Sequence, residues 1–189
     1  MSENVFSPHI FVKELPMKGV ILDCLAQMVE KKFGKDAWQN ILSESRLDTK
    51  TEFSPGRDIN DEKTMEIINN TCKVLDLTLE QTAEAFGVYW VNNYALRQYA
   101  IYLNRYRSAK DFIKGMDAIH DYTTKTFQNA HPPRFEIEDM DENRIRVTYK
   151  SSRNLIDFYI GLVKGVSVYY KTPIKIDKNS STTVDLTFG

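Results

Sequence analysis

Cysteine is scarce in this chain of 189 residues: Cys24 and Cys72 are its only two. Two thiols cannot build a disulfide scaffold, and a chain that uses so few suits a reducing, cytoplasmic compartment. Neither has a nearby His, so no Cys/His zinc spacing is available. Histidine is equally sparse, limited to His9, His120 and His131. No apolar run approaches the roughly 20 residues needed to span a bilayer. The first 16 residues lack the basic segment and continuous apolar core of a signal peptide. Charge of one sign is missing too: 25 Lys and Arg against 26 Asp and Glu leave a net charge of -1, which recommends neither a nucleic acid nor an anionic membrane as partner.

Apolar and aromatic side chains are well supplied, at 42% and 12% of the chain, as a packed core requires. The length suits one domain large enough to enclose a cofactor. Ile21, Leu22, Leu25, Met28, Val29 and Phe33 recur at helical spacing and predict a helix ending near Gly34. A second helix is expected over Asp36 to Leu42, then a loop over residues 45–60 around Ser54-Pro55-Gly56. Asn60 can cap a helix carrying Met65, Ile67, Ile68, Cys72 and Leu75. Thr78 and Gln81 form a capping-box pattern ahead of a helix with Phe86, Trp90, Val91 and Tyr94. Ser108 to Asp111 opens another, which places Phe112, Met116, Ile119 and His120 on one side.

After Pro132-Pro133 the period changes from helical to two. Phe135 to Glu138 and Ile145 to Tyr149 alternate about a polar turn, Asp139 to Asn143, and read as a hairpin. A helix from about Arg153 to Tyr170 follows, then two alternating runs, Pro173 to Asp177 and Thr183 to Phe188. The predicted class is therefore α+β: an N-terminal helical layer packed with a four-stranded antiparallel sheet that carries a crossover helix.

The chemistry concentrates between His120 and Arg153. A lone His on the apolar side of a helix is more often a satisfied core residue than a ligand. Here it is followed by Pro133 and by Tyr149-Lys150-Ser151-Ser152-Arg153, a Y-x-S-x-R pattern. A neutral imidazole can hold a haem iron from one side. An Arg fork and two hydroxyls can neutralise and hydrogen-bond two propionates, which would be costly to bury unpaired. Pro133, with its fixed backbone dihedral, can press a stiff ring on a flat ligand. His131 reads as a surface loop residue.

These elements, in this order, resemble the haem nitric-oxide/oxygen-binding (H-NOX) family, the sensor fold shared by soluble guanylate cyclase and bacterial gas sensors. The resemblance runs from Met17-Lys18-Gly19, through Ala85-Phe86-Gly87-Val88-Tyr89-Trp90-Val91, to nearly the end of the chain. It implies a single sensor domain over residues 17–189, with residues 1–16 an N-terminal extension of unassigned status. It also implies haem b buried between the helical layer and the sheet. His120 becomes the proximal ligand, Pro133 the residue that bends the macrocycle, and Tyr149, Ser151 and Arg153 the propionate partners. Met116 and Tyr94 become further haem contacts.

The matched distal positions fall on Ile21, Leu25, Trp90, Phe158 and Leu162. Phe158 stands where oxygen-binding relatives carry a Tyr, and only the Trp90 indole offers an obvious donor. Bound oxygen becomes partly anionic, and a hydrogen bond to such a group is worth about 1.5 to 3 kcal/mol, so its loss weakens oxygen binding roughly 10- to 150-fold. Nitric oxide loses little, and the expected ligand is nitric oxide, with carbon monoxide also accepted. The resemblance implies that the iron–His120 bond breaks on nitric oxide binding and that the freed helix shifts. With no output domain in the sequence, the receiver is expected to be a separate protein, which the resemblance implies is a histidine kinase or a diguanylate cyclase. No catalysis is expected. Tyr159, about 100° round the helix from Phe158, should miss the iron. If it or Trp90 donates instead, the chain is an oxygen-binding sensor. The other rival is a module for a different apolar ligand, with His120 structural.

Overall fold

Helix α1, Val20–Phe33, follows β1, Met17–Lys18, which pairs antiparallel with β2, Asp58–Ile59. This computed structural model describes residues 17–126 and 129–189. Residues 1–16, with His9, lie outside the described residues. The stretch expected to be loop thus contains β2, and it ties down the start of α1: Gly19 and Val20 donate their backbone N–H to Arg57 and Pro55. Helix α2 is Lys35–Glu44 and α3 is Asp61–Leu75, which Asn60 caps by accepting from the Lys63 N–H. Helix α4, Leu79–Tyr89, begins with the full Thr78/Gln81 capping box.

The apolar spacing of Phe86, Trp90, Val91 and Tyr94 suggests one continuous α-helix, but Trp90–Tyr94 form a π-helical turn. Such turns are rare and often sit at functional sites. Its looser winding leaves the Val88 carbonyl to the Asn92 side chain, which also donates to the Gly165 carbonyl, each at 3.0 Å. Two short helices follow, α5 (Ala95–Gln98) and α6 (Ala100–Asn104), and then the long α7, Ala109–Thr126.

The sheet is antiparallel throughout, in the order β3 (Arg134–Asp139), β4 (Arg144–Lys150), β6 (Thr183–Phe188), β5 (Ile174–Lys178). Helix α8, Ile156–Tyr170, makes the crossover between β4 and β5. It starts three residues later than its apolar pattern suggests because Asn154 takes a left-handed conformation with φ 50°, which a short polar side chain tolerates.

Two cores meet along α8. One joins α1–α4 and includes Leu22, Leu25, Met28, Tyr94 and Phe158; the other joins α7, α8 and the sheet. Trp90, Tyr99 and Leu155 pack against both. Helices α4 and α8 touch through backbone rather than side chains. A Cβ on Gly87 would lie 2.0 Å from the Gly161 carbonyl carbon, and one on Gly161 would lie 2.0 Å from the Ala83 oxygen. Only glycine permits that approach. Among the described residues no helix is long and apolar enough to cross a membrane.

Candidate functional site

The helical period puts Asp117, His120 and Asp121 on the side of α7 that meets β3. There, Asp117 accepts from Arg134 Nε at 2.8 Å and Nη2 at 2.6 Å, and from the Phe135 backbone N–H at 2.8 Å. The Arg134 hydrogen bond is the main reason the Asp117 carboxyl titrates at about 2. Lys114 reaches the other end of β3 at Asp139. Arg134 Nη1 also donates to Asp121 at 3.3 Å, so helix α7 is clamped to the strand on both sides of the Asp117–His120 segment.

His120 is half-buried, its ring 5.3 Å from that of Phe135. Its Nδ1 lies 2.8 Å from the Pro133 carbonyl. A carbonyl can only accept, so Nδ1 carries the proton and Nε2 presents its lone pair. Burial pulls the imidazole pKa below its ordinary value, against the Pro133 hydrogen bond and the Asp117 charge. A neutral ring with its second nitrogen anchored on a backbone carbonyl is the usual state of a metal-ligating histidine. Met116, one turn before, is buried in the sheet core, and Ile113 rather than Ile119 completes that buried face.

Tyr149, Ser151 and Arg153 converge where β4 ends. The buried Tyr149 hydroxyl meets the Ser151 side chain and feels the Arg153 charge, while burial raises its pKa. Ser151 Oγ accepts from the Arg153 backbone N–H at 3.2 Å. The Arg153 fork spans Asp61 at the start of α3, with Nε–Oδ2 at 2.5 Å and Nη2–Oδ1 at 3.3 Å, and Nη1 donates to the His131 carbonyl at 2.8 Å. His131 thus contributes its backbone, and the 131–133 segment connects the His120 imidazole with the Arg153 guanidinium.

The residues expected to face the gas are largely apolar and aromatic. Phe158 stands edge-on to Phe86 at 5.2 Å, Phe86 tilts against Trp90 at 5.6 Å, and Trp90 stacks on Tyr94 at 5.2 Å and on Tyr99 at 6.2 Å. Ile21 and Leu25 belong to the same helical core as Phe158, whereas Leu162 packs on the sheet core. Tyr159 turns away from Phe158 into the sheet core, 4.9 Å from Phe135. Its hydroxyl is the one buried side-chain polar atom without a partner among the described residues.

This donor set fits a haem: a neutral imidazole with a free nitrogen, a cation with two hydroxyls nearby, and an aromatic wall shared by two cores. A bare ion is a poorer match, since no group of three or more His, Cys, Asp or Glu among the described residues is placed to hold one. Sequence spacing passes over Asp61, which holds Arg153, Asp23, which accepts from the Tyr94 hydroxyl, and Asp117, which ties α7 to β3 beside His120. Only Asp117 left a local signal, three residues before His120 on the same helical face.

Comparison with known proteins agrees. A family model described as Haem-NO-binding matches residues 18–178. The soluble guanylate cyclase gcy-35 of Caenorhabditis elegans is 24% identical over 159 residues, which is 79% of this chain and 22% of that protein. Soluble guanylate cyclase gcy-34 of the same organism is 25% identical over 156 residues, 80% of this chain and 23% of that one. The chain thus spans about a fifth of the length of the curated relatives it matches. Among solved structures, an oxygen-binding H-NOX domain related to soluble guanylate cyclases, in its oxygen complex, superposes with a TM-score of 0.78 at 20% identity, over 91% of this chain and 95% of that one. A structure concerned with the molecular mechanism of H-NOX activation gives 0.81 at 20% identity, over 91% and 96%. At these identities the likeness carries the fold.

Proposed function

The chain belongs to the haem-NO-binding family, and we propose that it is a ferrous haem b sensor that takes nitric oxide in preference to oxygen and reports it to a separate protein. Bound here, haem would supply an iron that His120 Nε2 could hold and that could take a diatomic gas. The observation that carries the reading is the His120–Pro133 hydrogen bond, which fixes the tautomer with Nε2 free. Tyr149, Ser151 and Arg153 would receive the propionates. One propionate would then share the Arg153 fork with Asp61 or displace it. Pro133 would serve twice, with its carbonyl orienting His120 and its ring against the macrocycle.

Nitric oxide preference rests on Phe158, which offers no donor, and on Tyr159 belonging to the other core. Carbon monoxide, whose affinity depends little on a donor, would also be taken. Output would run through α7, whose His120 is held by the Pro133 carbonyl and whose Asp117 couples the helix to β3 through Arg134 and Phe135. The role is sensing rather than catalysis, with a histidine kinase or diguanylate cyclase as the proposed receiver.

Replacing His120 by Gly tests this directly. The purified variant should lose most of its haem and recover it when imidazole is supplied. A variant that keeps the wild-type haem content and visible spectrum without imidazole contradicts the assignment.

A further inference from the structure

Phe158 is not the only side chain that decides whether the gas side holds a donor. Tyr94 lies in the same core as Leu25 and Phe158, only 1% exposed, with its ring stacked on Trp90. It brings a phenol hydroxyl to a wall otherwise poor in donors. That hydroxyl is already engaged: it donates to Asp23 Oδ2 at 2.5 Å. On α1, Asp23 is two residues from both Ile21 and Leu25, which turns it about 160° from either at 100° per residue. The phenol is therefore drawn to the side of α1 opposite the residues proposed to line the pocket.

Asp23 is itself held in place. Gln27 Nε2 donates to both of its oxygens, at 3.1 and 3.2 Å, and Gln27 Oε1 accepts from Arg97 Nη2 at 2.7 Å. The four residues form a chain that runs from the buried ring to a cation. Burial first, then the hydrogen bond and charge of Asp23, push the Tyr94 pKa upward, so the phenol keeps its proton. A bond to a full carboxylate is roughly twice as strong as one between neutral groups. Partly anionic bound oxygen is a weaker acceptor than Asp23.

We propose that Asp23 is a specificity-determining residue: by capturing the Tyr94 hydroxyl it removes the donor that would otherwise favour oxygen. The inference rests on the reading that the Tyr94 ring borders the gas side of a haem held by His120.

The test uses the ferrous, haem-loaded protein and three variants: Asp23→Ala, Tyr94→Phe and the two combined. Two quantities are read, the oxygen affinity and the C–O stretching frequency of added carbon monoxide, which falls when a donor reaches its oxygen. Asp23→Ala should raise oxygen affinity about tenfold or more and lower the stretch. The double variant should return both to the values of Tyr94→Phe. Asp23→Asn, which keeps the shape and loses the charge, should fall between, and it stands in if Asp23→Ala does not fold. An oxygen affinity for Asp23→Ala within twofold of wild type with an unmoved stretch overturns the proposal. So does a gain that survives in the double variant.

The wild-type protein separates this failure from that of the reading beneath it. Tight oxygen binding lost on Trp90→Phe contradicts nitric oxide preference alone, and the Asp23 pair is still judged from the double variant. Tight oxygen binding lost on Tyr94→Phe contradicts both, because the hydroxyl would already reach the gas. A protein that takes up no haem also contradicts both.

Discussion

The two sides of the candidate site are built by different means. On the side of α7 and the end of β4, each key group is fixed by directional bonds: His120 on the Pro133 carbonyl, Arg134 and Phe135 on Asp117, Arg153 on Asp61 and the His131 carbonyl. On the side of α1, α4 and α8, position comes from contact, with rings stacked on rings and glycine backbone against backbone. Directional bonds suit a task of holding a charged, flat cofactor in one orientation, because charge-assisted bonds combine strength with geometry. Close apolar packing suits a task of discriminating small gases, because it presents few donors to the space it encloses. Where the packed side does contain a hydroxyl, at Tyr94, a carboxylate occupies it.

Removing the principal cation of the bonded side should have the largest effect. Arg153→Ala leaves the half-buried Asp61 carboxylate without its fork, and its loss should cost about 2 to 3 kcal/mol of stability, toward the low end for a broken buried pair. The same variant should retain less haem than Ser151→Ala or Tyr149→Phe, which give up only neutral hydroxyls. Equal haem retention by the three would mean that charge is not what holds the propionates. Measured denaturation and haem content separate the two effects.

Gly161→Ala tests the packed side and should do slightly less. The added Cβ meets the Ala83 carbonyl, a backbone atom that yields only if α4 and α8 part, for about 2 kcal/mol. For a chain of this size that corresponds to a melting temperature lower by about 4 to 8 °C. An unchanged melting temperature would show that the helices do not touch as closely as described.

The smallest effect, and the only gain, is expected at Tyr159. Its buried hydroxyl has no partner, so Tyr159→Phe should stabilise the protein by about 1 kcal/mol and leave gas binding alone. A loss of stability would show that the hydroxyl has a partner after all.

The proposed residues of the bonded side are legible because they are close together along the chain: His120, Pro133, Tyr149, Ser151 and Arg153 fall within one stretch whose residue types match a chemical task, and hydrogen bonds through the 131–133 segment link His120 with Arg153. The succession of strands and the crossover helix follow equally from local periodicity, whereas the placing of β6 between β4 and β5 does not. The partners that fix those residues are another matter. Asp61 lies 92 residues from Arg153, and Asp23 lies 71 from Tyr94, and no periodicity encodes an ion pair or hydrogen bond across such a distance. The π-helical turn at Trp90–Tyr94 was hidden for a related reason. Its apolar spacing is indistinguishable from that of an α-helix, and what stabilises it, Asn92 against the Gly165 carbonyl, is tertiary. The late start of α8 turned on one backbone angle at Asn154.

The central claim is that the packed side withholds a donor from the gas. Its most direct test is the absorption spectrum of the purified ferrous protein in air and under nitric oxide, recorded beside Phe158→Tyr. The wild-type spectrum should respond to nitric oxide and be unchanged by air, and the oxygen affinity of Phe158→Tyr should rise by about 10- to 150-fold. A wild-type protein that binds oxygen tightly, and loses it on Tyr159→Phe, would contradict the claim and put the donor one residue along α8.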